Sequence, residues 1–139
     1  MFCSYHGGSH AGCPRPFRRH HRAAGPEDDP GFAAVARLLL DKRFHGPLEA
    51  VSRGQMLAVG GEAAWGVYVA IEKVEGTLDG RSGSFVLHHN GTMTPADGQR
   101  LSVSVAPLSG TGELAGLSGT MAIDIVDGQH FYSFDYALA

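Results

Sequence analysis

The stretch EKVEGTLDGRSGSFVLHHNGTM, residues 72–93, decides the fold. It reads as the end of one strand, a glycine-punctuated turn and a second strand carrying adjacent histidines, His88 and His89. Upstream of it, AAWGVYVAIEKV (63–74) is the clearest long strand. Two more candidate strands precede that one, RLLLDKRF (37–44), whose leucines could also start a short helix, and LEAVSRGQMLAV (48–59), divided by His45-Gly46-Pro47. Downstream, LSVSVAP (101–107) alternates cleanly, with Leu101, Val103 and Val105 on one face and serines on the other. A glycine-dense connector (109–119) leads to TMAIDIV (120–126). Asp127-Gly128 then makes a hairpin turn into HFYSFDYAL (130–138).

Seven strands joined by connections this short exclude βαβ crossovers, so the sheet is expected to be antiparallel. No capped run of helical periodicity reaches ~12 residues. The expected fold class is all-β, a small antiparallel meander barrel or a sandwich. Barrels of about eight strands just enclose side chains or one small ligand.

The chain has 139 residues, a length for one domain with a real core. A net charge of −3 carries no global signal for nucleic acid or an anionic membrane. Only Cys3 and Cys13 are present, too few for a disulfide scaffold. No apolar run has the length of a signal-peptide core or a membrane span, so a reduced, cytoplasmic setting is the expectation.

Residues 1–36 differ in texture from the rest. Prolines at 14, 16, 26 and 30 interrupt any regular element, and arginines at 15, 18, 19 and 22 precede Glu27, Asp28 and Asp29. The segment is expected to be a disordered or loosely attached arm, followed by a barrel domain over 37–139. Its Cys3, His6, His10, Cys13, His20 and His21 match no compact zinc spacing, so no metal site is assigned.

Three blocks, LLLDKRFHGPLEAVSRGQMLA, YVAIEKVEGTLDGRSGSFVLHHNGTM and SGTGELAGLSGTMAIDI, resemble domain-of-unknown-function family 3224 over about residues 37–138. The glycine-rich block also resembles a hairpin of the wider allene-oxide-cyclase-like superfamily. The resemblance implies an eight-stranded barrel with no metal or organic cofactor. It also implies one further amphipathic strand before Leu38, where this chain carries the arm. An altered start or an early reading-frame shift would produce such a junction. A barrel lacking that strand has an open seam with unpaired backbone groups, an aggregation hazard that the arm or a second copy must cover.

Glu72 shares a strand face with Tyr68, Ala70 and Val74, while Trp65, Val67, Val69, Ile71 and Lys73 form the other. Period alone leaves open which face is inside. The family resemblance implies an acid at Glu72 and a histidine at His89, with glutamine usual at His88, so His89 is favoured as inward. A carboxylate beside an imidazole can do acid–base work, since the carboxylate fixes the tautomer. Each can equally be a satisfied polar residue at a barrel end. Arg43 and His45, on a plausible neighbouring strand, can add a donor or face solvent. Tyr68, Phe85, Leu87, Glu113, Tyr132 and Tyr136 are candidate pocket residues, the aromatics either lining a cavity or filling it. Glu113 lies among glycines, but no lysine and no helix follow, so a phosphate loop is not indicated.

Three functions remain open at this level. The chain binds an apolar or amphipathic small molecule inside the barrel, is a cofactor-independent isomerase or cyclase, or is a self-associating module with a filled barrel. Whether it is an enzyme is undetermined by sequence.

Overall fold

The computed structural model describes residues 35–139 and, as backbone alone, two short strands earlier in the chain. Those are β1 (Phe2–Ser4) and β2 (Ala23–Ala24). The remaining strands are β3 (Ala36–Phe44), β4 (Leu48–Gly61), β5 (Trp65–Leu78), β6 (Arg81–Thr94), β7 (Gly98–Val105), β8 (Thr111–Gly112), β9 (Leu117–Val126) and β10 (Gln129–Leu138). All seven strands expected from the sequence are present. The two-residue β8, inside the glycine-rich connector, is additional and pairs with β6.

From β3 to β10 the pairing is antiparallel throughout, in the order β10-β9-β7-β6-β5-β4-β3. Two of the hairpins turn on Asp-Gly pairs. Asp79 and Gly80 take φ of 47° and 80°, and Asp127 and Gly128 take 50° and 74°. Consecutive positive φ values are what a two-residue hairpin turn demands, and Asp and Gly tolerate them best.

The sheet is a meander that, among the described residues, hydrogen bonds do not close. Side chains draw its ends together instead. Tyr132 of β10 donates to the carbonyls of His45 (3.2 Å) and Leu48 (3.3 Å), at the β3–β4 turn. Its ring meets Phe44 edge-on at 5.5 Å. Tyr136 donates to Asp79 in the β5–β6 turn. At the free edges, β1 pairs parallel with Phe131–Ser133 and β2 pairs with Arg37 and Leu38. Among the described residues no strand pairs with 39–44 along the outer edge of β3. The rest of the expected arm lies outside the described residues, as does its cysteine–histidine cluster.

Alternation sends one face of every strand inward. The main apolar cluster fills one end, with Phe44, Leu48, Val74, Leu78, Phe85 and Phe134 among its fully buried members. A smaller cluster of Leu40, Met56 and Ala70, with Leu38 and Tyr68 packed on it, lies toward the other end. The inward face of β5 is the less apolar one. Val69 and Ile71 are outside, 54% and 65% exposed, while Glu72 is completely buried. Among the described residues, no helix is long and apolar enough to cross a membrane.

Candidate functional site

Between the two apolar clusters lies a layer of polar side chains, one from each of four adjacent strands. Lys42, Ser52, Glu72 and His89 occupy inward positions of β3, β4, β5 and β6 and are all buried. Buried charge is costly unless paired and hydrogen-bonded, and the pairing here is complete. Lys42 Nζ donates to Glu72 Oε2 at 2.6 Å, and the Ser52 hydroxyl donates to Oε1. His89 Nε2 stands 3.2 Å from Oε2. No buried side-chain polar atom among the described residues lacks a partner.

Burial by itself would raise the Glu72 pKa. The hydrogen bond from His89, the charge of Lys42 and the hydrogen bonds of Lys42 and Ser52 overcome it, holding the carboxyl at about 2 against 4.5 for a free glutamate. An ionised carboxylate only accepts, so the proton shared with His89 sits on Nε2. In the neutral ring Nδ1 is then an acceptor, and the Tyr68 hydroxyl lies 3.3 Å from it. The Tyr68 and His89 rings meet edge-on at 5.7 Å. A hydrogen-bonded series thus runs from a buried carboxylate through an imidazole to a half-buried phenol.

Two glycines make the room. Gly54 lies directly opposite Glu72, where an added Cβ would fall 2.7 Å from the Glu72 Cα. Gly91 leaves space that the Tyr68 ring fills, since a Cβ there would run into the ring.

Beyond Tyr68 the inward face loses its cover. Along β6 the exposure rises from 1% at Leu87 and 6% at His89 to 48% at Met93. On β9 it rises from 4% at Met121 to 51% at Ile125. Leu101 and Ile123 are half-buried between these limits. Among the described residues, the apolar interior is sealed at the Phe44–Tyr132 end, and its inward side chains are exposed at the end where the polar series terminates.

Of the residues singled out by sequence, the structure brings Glu72, His89 and Tyr68 together. Phe85, Leu87 and Tyr132 are fully buried in the main apolar cluster, at the other end. Tyr136 is half-buried and held by Asp79. Glu113 is exposed on the connector, where its carboxylate accepts the Ser82 amide at 2.8 Å. His88 and Arg43 face outward, and His45 bonds Glu49 at 3.0 Å. Lys42 and Ser52 were not anticipated. Their signal is the alternation itself: Leu38-Leu40-Lys42-Phe44 and Leu48-Ala50-Ser52 each set one polar residue into an apolar face.

Fold and site together define a small all-β protein whose curled sheet encloses a buried lysine–glutamate–histidine layer. A family model described as "Protein of unknown function (DUF3224)" matches residues 18–136. The chain belongs to this family. The match begins inside the arm, upstream of the strand at which the sequence resemblance starts. The chain is also similar to a crystal structure of a protein with unknown function from the DUF3224 family of Shewanella oneidensis MR-1. Identity is 45% and the TM-score 0.78, over 89% of this chain and 94% of that one. A search of curated proteins finds no match.

Proposed function

We propose that the open end of the sheet receives an apolar or amphipathic small molecule, with the Tyr68 hydroxyl and His89 as its polar anchor. The observation that carries this reading is the exposure of inward-facing apolar side chains, Met93 and Ile125 above all, directly above a fully satisfied polar layer. A filled structural barrel has no use for uncovered apolar side chains on its inner face. Sites for small molecules are mostly apolar with a few convergent polar groups.

A second reading rests on the Glu72–His89–Tyr68 series. A carboxylate that fixes the imidazole tautomer leaves Nδ1 as the acceptor that takes the phenol proton while the Tyr68 oxygen accepts one from a bound molecule. That is the acid–base step a cofactor-independent isomerase or cyclase requires.

Screening small apolar compounds by thermal shift and native mass spectrometry tests the first reading. A ligand whose binding is weakened by Tyr68→Phe and His89→Ala supports it, and indifference to both variants sinks it. Conversion of that ligand by the wild type, lost in His89→Ala with binding retained, separates enzyme from binder.

A further inference from the structure

The outer surface of β3–β6 carries a feature that the buried layer does not use. Register sets its outward side chains in rows across the strands. Arg37, Leu57 and Val69 lie side by side, Gln55, Ile71 and His88 form the next row, and Arg53 faces Lys73 in the third. These residues line a groove of about 800 Å³. Its floor is apolar and open to solvent, with Leu57, Val69 and Ile71 all exposed.

The charged residues that line the groove are cations, while the Glu75 carboxylate beside them interacts with Lys73 and Arg53. Arg37, Arg53 and Lys73 border the groove, and among the described residues no carboxylate lines it. Lys73 pairs with Glu75 at 2.6 Å. Arg37 and Arg53 make no ion pair among the described residues, and Asp41, the cross-strand neighbour of Arg53, makes none with it.

Three kinds of occupant can be weighed. An added strand is excluded at the floor, because β4 and β5 are each laddered on both sides. A second copy presenting the same face would set these cations against themselves. A volume within the ~300–1,000 Å³ of small-molecule sites, an apolar floor and a border lined by cations complement a small amphipathic anion.

We infer that this groove is a binding site for a free single-chain alkyl carboxylate, with its head at Arg53 and Lys73 and its tail over Ile71, Val69 and Leu57. The run from residue 73 to residue 69 on β5 is roughly 13 Å at the rise of a strand, which matches a tail of about ten to twelve carbons.

The test is isothermal titration of the full chain with dodecanoate below its micelle threshold, beside dodecanol and dodecyltrimethylammonium. Dodecanoate is expected to bind one per chain and more tightly than either comparison. Arg53→Gln and Ile71→Ser, both at exposed positions, are each expected to weaken it roughly tenfold, as loss of one charged hydrogen bond or one apolar contact does. Tyr68→Phe, which addresses the open end and does not line the groove, should leave it unchanged.

Failure of dodecanoate to bind would overturn the inference, as would equal affinity for the three amphiphiles. So would sensitivity to Tyr68→Phe in place of Arg53→Gln. Binding to anionic vesicles without binding to the free carboxylate assigns the face to a membrane and refutes it. Self-association abolished by Ile71→Ser assigns the face to a second copy and refutes it as well.

Discussion

Substitution of Glu72 by glutamine isolates what the buried carboxylate contributes. The Glu72 pKa falls from 4.5 to about 2 on folding. A carboxyl whose folded pKa lies below its unfolded value stabilises the fold above the unfolded value, and that stability is lost as pH falls toward the folded one. At about 1.4 kcal/mol per pH unit, the contribution is roughly 3 kcal/mol, present at pH 7 and lost progressively between about pH 5 and pH 2. Glu72 is inaccessible to solvent, so screening does not reduce it.

Glu72→Gln keeps the shape and removes the titration. It also leaves Lys42 buried without its counter-charge, a change that costs about 3–5 kcal/mol when one partner of a buried pair is removed. Lys42→Met restores neutrality, and the double variant is expected to recover most of that loss, as apolar replacement of buried pairs commonly does. The assay is urea unfolding followed by far-ultraviolet circular dichroism at a series of pH values. Wild type should lose stability below pH 5 with a slope that Glu72→Gln lacks. An identical acid slope in the two proteins, or a double variant less stable than Glu72→Gln, would refute the reasoning.

Three further outcomes can be checked directly. Gly54→Ala forces a methyl group against Glu72 and should cost ~1–3 kcal/mol in urea unfolding, the range for overpacking a tight site. Tyr132→Phe removes the bonds to the His45 and Leu48 carbonyls and should cost about 1 kcal/mol, with the Phe44 contact retained. Among the described residues no strand pairs with 39–44 of β3; if a second copy satisfies this edge, sizing chromatography should show concentration-dependent association. A lysine on an edge opposes such pairing, and Leu39→Lys should shift the protein toward monomer. A wild-type monomer at all concentrations would count against open-edge pairing.

The strands were legible because their alternation and glycine turns are local signals. LSVSVAP is the simplest case: Val103 and Val105 are buried as alternation requires, and Asp127-Gly128 forms the expected turn. The inward face of β5 was not legible from period. Trp65, Val67, Val69 and Ile71 make the more apolar face, yet it is the outer one. Glu72 is tolerated inside because Lys42 and Ser52, from 30 and 20 residues earlier, converge on it. Those partners depend on the register of β3 on β4 and of β4 on β5, which no window of sequence contains. The family resemblance supplied what period could not, putting His89 inside and His88 outside. The closure by Tyr132 and Tyr136 was hidden for the same reason, as each bonds a turn more than 50 residues away in sequence.

A small molecule held in the open end of the sheet, above the Glu72–His89–Tyr68 series, is the functional core of this reading. Native mass spectrometry of the protein as purified, compared with Ala58→Phe, probes it without intermediaries. Ala58 is half-buried and lies opposite Tyr68 on β4, so a phenyl group there fills the entrance without entering the packed end. A non-covalent mass increment is expected on the wild type and absent from the Ala58→Phe variant. An increment equal in both proteins, or a wild type that carries none and takes up no apolar compound offered to it, would contradict a ligand at the open end.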